Sequence, residues 1–140
     1  MPVESHQIRV ETRGNNQVLD ITPHLVQVLE KTQLANGTAT LFVIGSTAGI
    51  TTTEFEPGLV DHDLKSCFDL LAPEDGRYVH EETWHDDNGH SHVRASLLGP
   101  SLTIPFVDRS PTLGQWQQVI LIDFDTRPRS RQIVVQLLGD

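Results

Sequence analysis

Residues 80–101 read HEETWHDDNGHSHVRASLLGPS and carry four of the chain's seven histidines, His80, His85, His90 and His92, within thirteen positions. Imidazoles this dense can chelate a transition metal, move a proton, or sit solvated among the acids Glu81, Glu82, Asp86 and Asp87. His90 and His92 are two apart, and on a strand both leave the same face. His80, upstream across a loop of Asp and Gly, can fold back to supply a third nitrogen. Three neutral imidazoles with an open fourth position are a catalytic zinc arrangement. With only histidine and carboxylate to offer, the set suits zinc, nickel, iron or manganese better than copper(I). His85 is the dispensable member. His62 belongs to the polar side of a helix, and His6 and His24 carry no assignment.

The rest of the chain must hold that cluster. Its 140 residues make one domain, 1–140, large enough to bury a core without a staple. A formal net charge of −9 argues against nucleic acid and anionic membrane as partners, since both need a basic face. Cys67 is the sole cysteine, which excludes an internal disulfide and a thiolate zinc cluster. The opening MPVESHQIRVETRG has no apolar stretch of the signal-peptide kind, and no run approaches the roughly 18 apolar residues of a membrane helix. The expectation is a cytoplasmic protein.

The periodicities predict α+β: a mainly antiparallel sandwich of seven or eight strands with two helices. VESHQIRVETR alternates as a strand does. DITPHLVQVLEKTQLANG predicts a helix with Thr22 as N-cap and Pro23 at its first position. TATLFVIG and ITTTEFE predict strands. In GLVDHDLKSCFDLLAP, Val60, Leu64, Cys67, Phe68 and Leu71 fall on one helical face, which predicts a core position for Cys67. HVRASLLG, SLTIPFVD, QWQQVILIDFD and RQIVVQLLG are read as four successive strands, separated by Gly- and Pro-bearing turns. Short connections favour antiparallel pairing. Trp116 is read as a packing residue of the core or an interface.

Several segments together resemble the YjbQ family, whose members are described as secondary thiamine-phosphate synthases. They are GHSHVRASLLGPSLTIPFVD, LGQWQQVILIDFD, TRPRSR, STAGITTTEFEPGLVDHDL and APEDGRYVHEETW, covering nearly the whole chain. The resemblance implies a compact antiparallel sandwich with helices, a homotrimer, and a divalent metal, usually zinc, on histidines. His80 and His92 match that pattern, and Glu54 matches a carboxylate of the family. Many relatives carry a histidine where this chain has Gly45. The expectation is that His90 replaces it, giving the metal set His80, His90 and His92.

The implied reaction joins a pyrimidine methyl diphosphate to a thiazole phosphate and releases pyrophosphate. It needs groups that bind polyanions and stabilise the leaving group, and no strong protein nucleophile. Arg94, Arg127, Arg129 and Arg131 are candidates, as are Ser46, Thr47 and nearby amides in their Gly-flanked turn. Glu54 is the candidate base, and Asp123 a polar residue that faces the site or pairs with an arginine across a subunit boundary. Two alternatives stand beside this reading. One is a metal-dependent hydrolase of a small phosphorylated metabolite. The other is a non-catalytic trimer that binds a ligand or metal.

Overall fold

The computed structural model describes residues 1–140, and its architecture is the expected α+β sandwich, with eight strands in two antiparallel sheets. The five-stranded sheet runs β1 (Val3–Thr12), β8 (Arg129–Gly139), β3 (Gly37–Val43), β5 (Ser101–Val107) and β6 (Ser110–Pro111). The three-stranded sheet runs β2 (Gln17–Asp20), β7 (Gln117–Asp123) and β4 (Ala48–Glu54). Period-2 alternation decides which side chains face inward. Ile8 and Val10 of β1 meet Ile133, Val135 and Leu137 of β8, Ala39, Leu41 and Val43 of β3, and Ile104 and Phe106 of β5. Val119 and Leu121 of β7 and Ile50 of β4 close this core from the second sheet.

Helix α1 (Thr22–Lys31) seals one end with Leu25 and Leu29. Its N-terminus is held otherwise than the sequence predicts. Asp20 Oδ1 accepts the Thr22 amide at 2.9 Å, and the Thr22 hydroxyl accepts from Val119 N at 2.8 Å, joining the helix to β7 instead of capping it.

The other face of the three-stranded sheet is covered by helices, so β7 is enclosed on both sides. Ile120, Ile122 and Phe124 pack against Phe68 and Ala95, with the Phe68 and Phe124 rings edge to face at 4.8 Å. A π-helical turn (Leu59–Asp63) leads into α2 (Leu64–Leu71). The wider turn leaves a narrow stripe spaced by four, Val60, Leu64, Phe68 and Ala72, facing the sheet. Cys67 and Leu71 fall outside that stripe and are exposed, which corrects the core position predicted for Cys67.

The largest departure is residues 92–99. HVRASLLG is not a strand but most of helix α4 (Gly89–Leu98), preceded by the short α3 (Val79–Trp84). Arg, Ala, Ser and two leucines are helix formers or neutral, Val93 is the sole β-branched residue, and Gly99 at φ +93 stops the run. The histidine loop therefore becomes two helices joined by a turn at His85–Asn88. His85 itself closes α3 with a left-handed backbone. Trp116 is 68% exposed and has no place in this chain's core.

Candidate functional site

The inward stripe of β8 is apolar from Leu137 to Ile133 and then turns polar at Arg131 and Arg129. Thr12 of β1 faces the same end of the sandwich, and β7 brings Asp123 to meet them. Charges there are removed from water, so each needs a partner. Asp123, fully buried, accepts from Arg131 Nε at 2.7 Å, Arg131 Nη2 at 2.9 Å, the Thr12 hydroxyl at 2.5 Å and the Asp125 amide at 2.9 Å. Of the two orientations expected for Asp123, it is the pair with an arginine that forms, and the arginine is on the same chain. With four donors on its oxygens, Asp123 anchors β7 to β1 and β8.

Asp125 lies two residues further on and is 1% exposed. It accepts from Thr47 Oγ1 at 3.0 Å, Arg129 Nε at 2.9 Å and the Thr126 amide at 2.7 Å. Burial pushes its carboxyl up, but the Thr126 amide, the Thr47 hydroxyl and the Arg129 guanidinium outweigh that and hold it below the usual carboxylate range. Asn88 Nδ2 lies 3.5 Å from Asp125 Oδ1. Asn88 Oδ1 then faces His80 Nε2 at 3.2 Å. The carboxylate accepts only, so it turns the amide nitrogen of Asn88 toward itself and the amide oxygen toward His80. His80 consequently carries its proton on Nε2 and presents a bare Nδ1.

His92 is fixed by a different route. Its Nδ1 donates to the Ser46 carbonyl at 3.1 Å, so the free lone pair is on Nε2. The two rings meet edge to face, centroids 4.6 Å apart. Gly89 allows this approach: a Cβ there would lie 2.5 Å from Tyr78 Cβ, pushing the segment that carries His80 off α4. Sequence reasoning missed Asn88 and Asp125 as the groups that orient His80. Their signal was an acid two residues beyond Asp123 and an amide between the histidines.

Other expected members are elsewhere. His90 does not join His80 and His92. On a helix, residues two apart point to nearly opposite sides. His90 is buried beside Tyr78, ring centroids 6.3 Å apart, with Nδ1 unpartnered. Burial first, then the Arg94 charge, pushes its pKa down, so it is neutral. Across the chain no three His, Cys, Asp or Glu side chains converge as a metal site, so the His80–His90–His92 set does not fit zinc. Arg94 does not flank His92: it is buried and spent on Ala72 O at 2.9 Å, Asn16 Oδ1 at 3.2 Å and Asp69 Oδ1 at 3.0 Å, tying α4 to α2 and the β1–β2 turn. Glu54 is exposed at the far end of β4, about 23 Å along the strand from Thr47 at roughly 3.3 Å per residue.

The phosphate candidates divide. Thr47 is buried and used, donating to Asp125 and accepting from Arg131 Nη2 at 2.6 Å. Ser46 is exposed, and the amides of Gly45, Ser46 and Thr47 donate to no acceptor in the chain. Arg129 binds Asp125 by Nε alone and stays 43% exposed. Arg127 is exposed, 3.4 Å from Asp87 and 3.7 Å from Asp86.

A two-sheet sandwich with a histidine pair on paired short helices at its polar end defines the class. The family model for UPF0047 protein YjbQ-like matches residues 6–140. The chain belongs to this UPF0047 (YjbQ-like) family. It is 33% identical to a UPF0047 protein of Methanocaldococcus jannaschii over 94% of this chain and 92% of that one. It is 34% identical to a UPF0047 protein of Methanothermobacter thermautotrophicus over 99% and 94%. Among solved structures it is similar to a hypothetical protein of Aeropyrum pernix K1, with TM-score 0.89, 29% identity and coverage of 98% and 99%. It is likewise similar to a YbjQ-like protein of Sulfolobus solfataricus P2, with TM-score 0.87, 28% identity and coverage of 99% and 100%.

Proposed function

We propose that the chain is a cytoplasmic enzyme acting on a small phosphorylated substrate at the rim where His80, His92 and the Gly45–Thr47 turn meet, by transfer of the thiamine-phosphate synthase type. One observation carries the reading: two imidazoles touch, each with one nitrogen anchored and the other bare, beside three unpaired amides. Anchored imidazoles of this kind hold or move a proton at a stated atom, here His80 Nδ1 and His92 Nε2. Free amides and the exposed Arg129 supply donors for oxygens that gain charge as a diphosphate leaves. In the reaction the carbon–oxygen bond of the pyrimidine methyl diphosphate breaks, the thiazole nitrogen lone pair forms the new carbon–nitrogen bond, and pyrophosphate departs. A zinc ion at this rim has only His80 and His92 as ligands from one chain, one short of the usual three, so no step is assigned to it.

The homotrimer belongs to the same proposal. The outward face of the five-stranded sheet leaves Val3, Phe42 and Leu138 between 42% and 54% exposed, an apolar surface suited to a second copy. Light scattering on the eluting peak gives the copy number.

The test is pyrophosphate release from the two substrates over many turnovers, with His80→Ala and His92→Ala beside the unmodified chain. Coupled product, lost at least 100-fold in both variants, supports the transferase. Phosphate release without coupling makes it a hydrolase, and saturable binding without product makes it a binder.

A further inference from the structure

We propose that Arg131 Nη1, set over Gly45, is the seat for a phosphoryl oxygen, and that residue 45 is glycine in this chain because any side chain would close that seat. The proposal rests on the reading of a phosphorylated substrate at this rim.

Arg131 is 6% exposed and pinned along one edge. Nε and Nη2 grip Asp123 at 2.7 and 2.9 Å, and Nη2 also reaches Thr47 Oγ1 at 2.6 Å. Nη1 has no partner in the chain. Nor is it sealed from solvent: the buried polar atoms without a partner are Asn16 Nδ2, His24 Nδ1, His90 Nδ1 and Ser91 Oγ. A guanidinium that is otherwise buried therefore keeps its unpartnered Nη1 in some contact with solvent.

The opening is above Gly45. A Cβ at that residue would stand 2.7 Å from Nη1. A free surface arginine would swing aside, but three hydrogen bonds hold this one. Gly45 also has φ +125, a backbone that residues with a side chain rarely adopt. With Arg131 held as it is in this chain, backbone and space both favour glycine, and the absent side chain leaves Nη1 in reach. Gly45, Ser46 and Thr47 add three amides without acceptors in the chain, donors of the kind that anion-binding turns use.

Arg129 and Arg131 are balanced by Asp123 and Asp125. The seat therefore offers aimed donors rather than net positive charge. It selects oxygen geometry, as a half-occupied arginine fork does, and its affinity depends only weakly on salt.

The experiment titrates inorganic pyrophosphate, and separately phosphate, into the full chain while following the amides of residues 45–47 and the Arg131 Nε–H by proton–nitrogen correlation. Saturable shifts at those positions are expected, at least tenfold weaker in Gly45→Ala that retains the His80 and His92 resonances of the folded protein. Equal affinity in that variant, or shifts confined to Arg127 or to the exposed Arg9 and Lys31, overturns the seat. If Gly45→Ala does not fold, the titration of the unmodified chain decides alone. Binding at Arg131 without turnover retires the synthase reading and keeps the seat. Turnover with Arg131 unperturbed keeps the reading and removes the seat.

Discussion

His90 and His92 leave helix α4 on nearly opposite sides. His90 is sealed beside Tyr78, whereas His92 lies edge to face with His80. Sequence proximity brought three histidines into one candidate set, and helical geometry divides them into a buried one and a contacting pair.

The pair makes a prediction about protons. Long-range nitrogen correlations at neutral pH are expected to find His80 protonated on Nε2 and His92 on Nδ1. A common tautomer for both rings would contradict the anchoring through Asn88 and Ser46.

In the proposed reaction Asn88 is a positioning residue, since its Oδ1 faces His80 Nε2 at 3.2 Å. Asn88→Ala is expected to lower turnover about 10–100-fold, the usual effect of losing a group that orients a functional histidine. The His80 ring nitrogens then report both neutral tautomers, a readout that mere destabilisation does not produce.

Asp125 links the site to acid stability. Its folded pKa lies below the ordinary 3.8, so its contribution is present above about pH 4 and lost as pH falls through the lower folded value. Melting curves between about pH 5 and pH 2 are expected to fall less steeply for Asp125→Asn than for the unmodified chain.

His90 gives a second, separate window. Its folded pKa is below 6.5, so its contribution is complete above about pH 6.5 and declines as pH drops toward the folded value. His90→Phe removes that decline. In the same variant the His80–His92 ring contact and turnover are expected to persist. Loss of turnover in a stable His90→Phe protein would return His90 to the site.

The Asp123–Arg131 pair is buried on both sides. Arg131→Met leaves a carboxylate stranded and is expected to cost about 3–5 kcal/mol in denaturant unfolding. Adding Asp123→Leu recovers part of that loss. Equal stability of Arg131→Met and the unmodified chain would mean that the network is not closed as described.

What the sequence disclosed follows from which signals are local. The alternation of Ile133, Val135 and Leu137, and of Ala39, Leu41 and Val43, is read without knowing any partner strand, so the sandwich was legible. HVRASLLG was not: a short apolar run suits a strand or a helix, and Gly89 against Tyr78, a tertiary contact, belongs to the helical choice. Cys67 fails for a related reason, since the stripe phase depends on a π-turn that periodicity at 3.6 does not contain. His80 and His92 were found because their type is informative by itself. Asn88 and Asp125 were not, because an amide and a carboxylate gain meaning only from the 3.2 and 3.5 Å contacts that the fold supplies.

Strand β7 is enclosed between the core and the helices, and it ends in Asp123, two residues before the Asp125 that faces Asn88. The anchor for the chemistry is thus fastened to the part of the chain that local opening reaches last, while the histidines ride on two short outer helices. The consequence is a division of risk under mutation. Changes at the exposed positions of residues 79–98 are expected to leave the wall standing, whereas changes in the buried residues 119–125 forfeit the protein before they alter its chemistry.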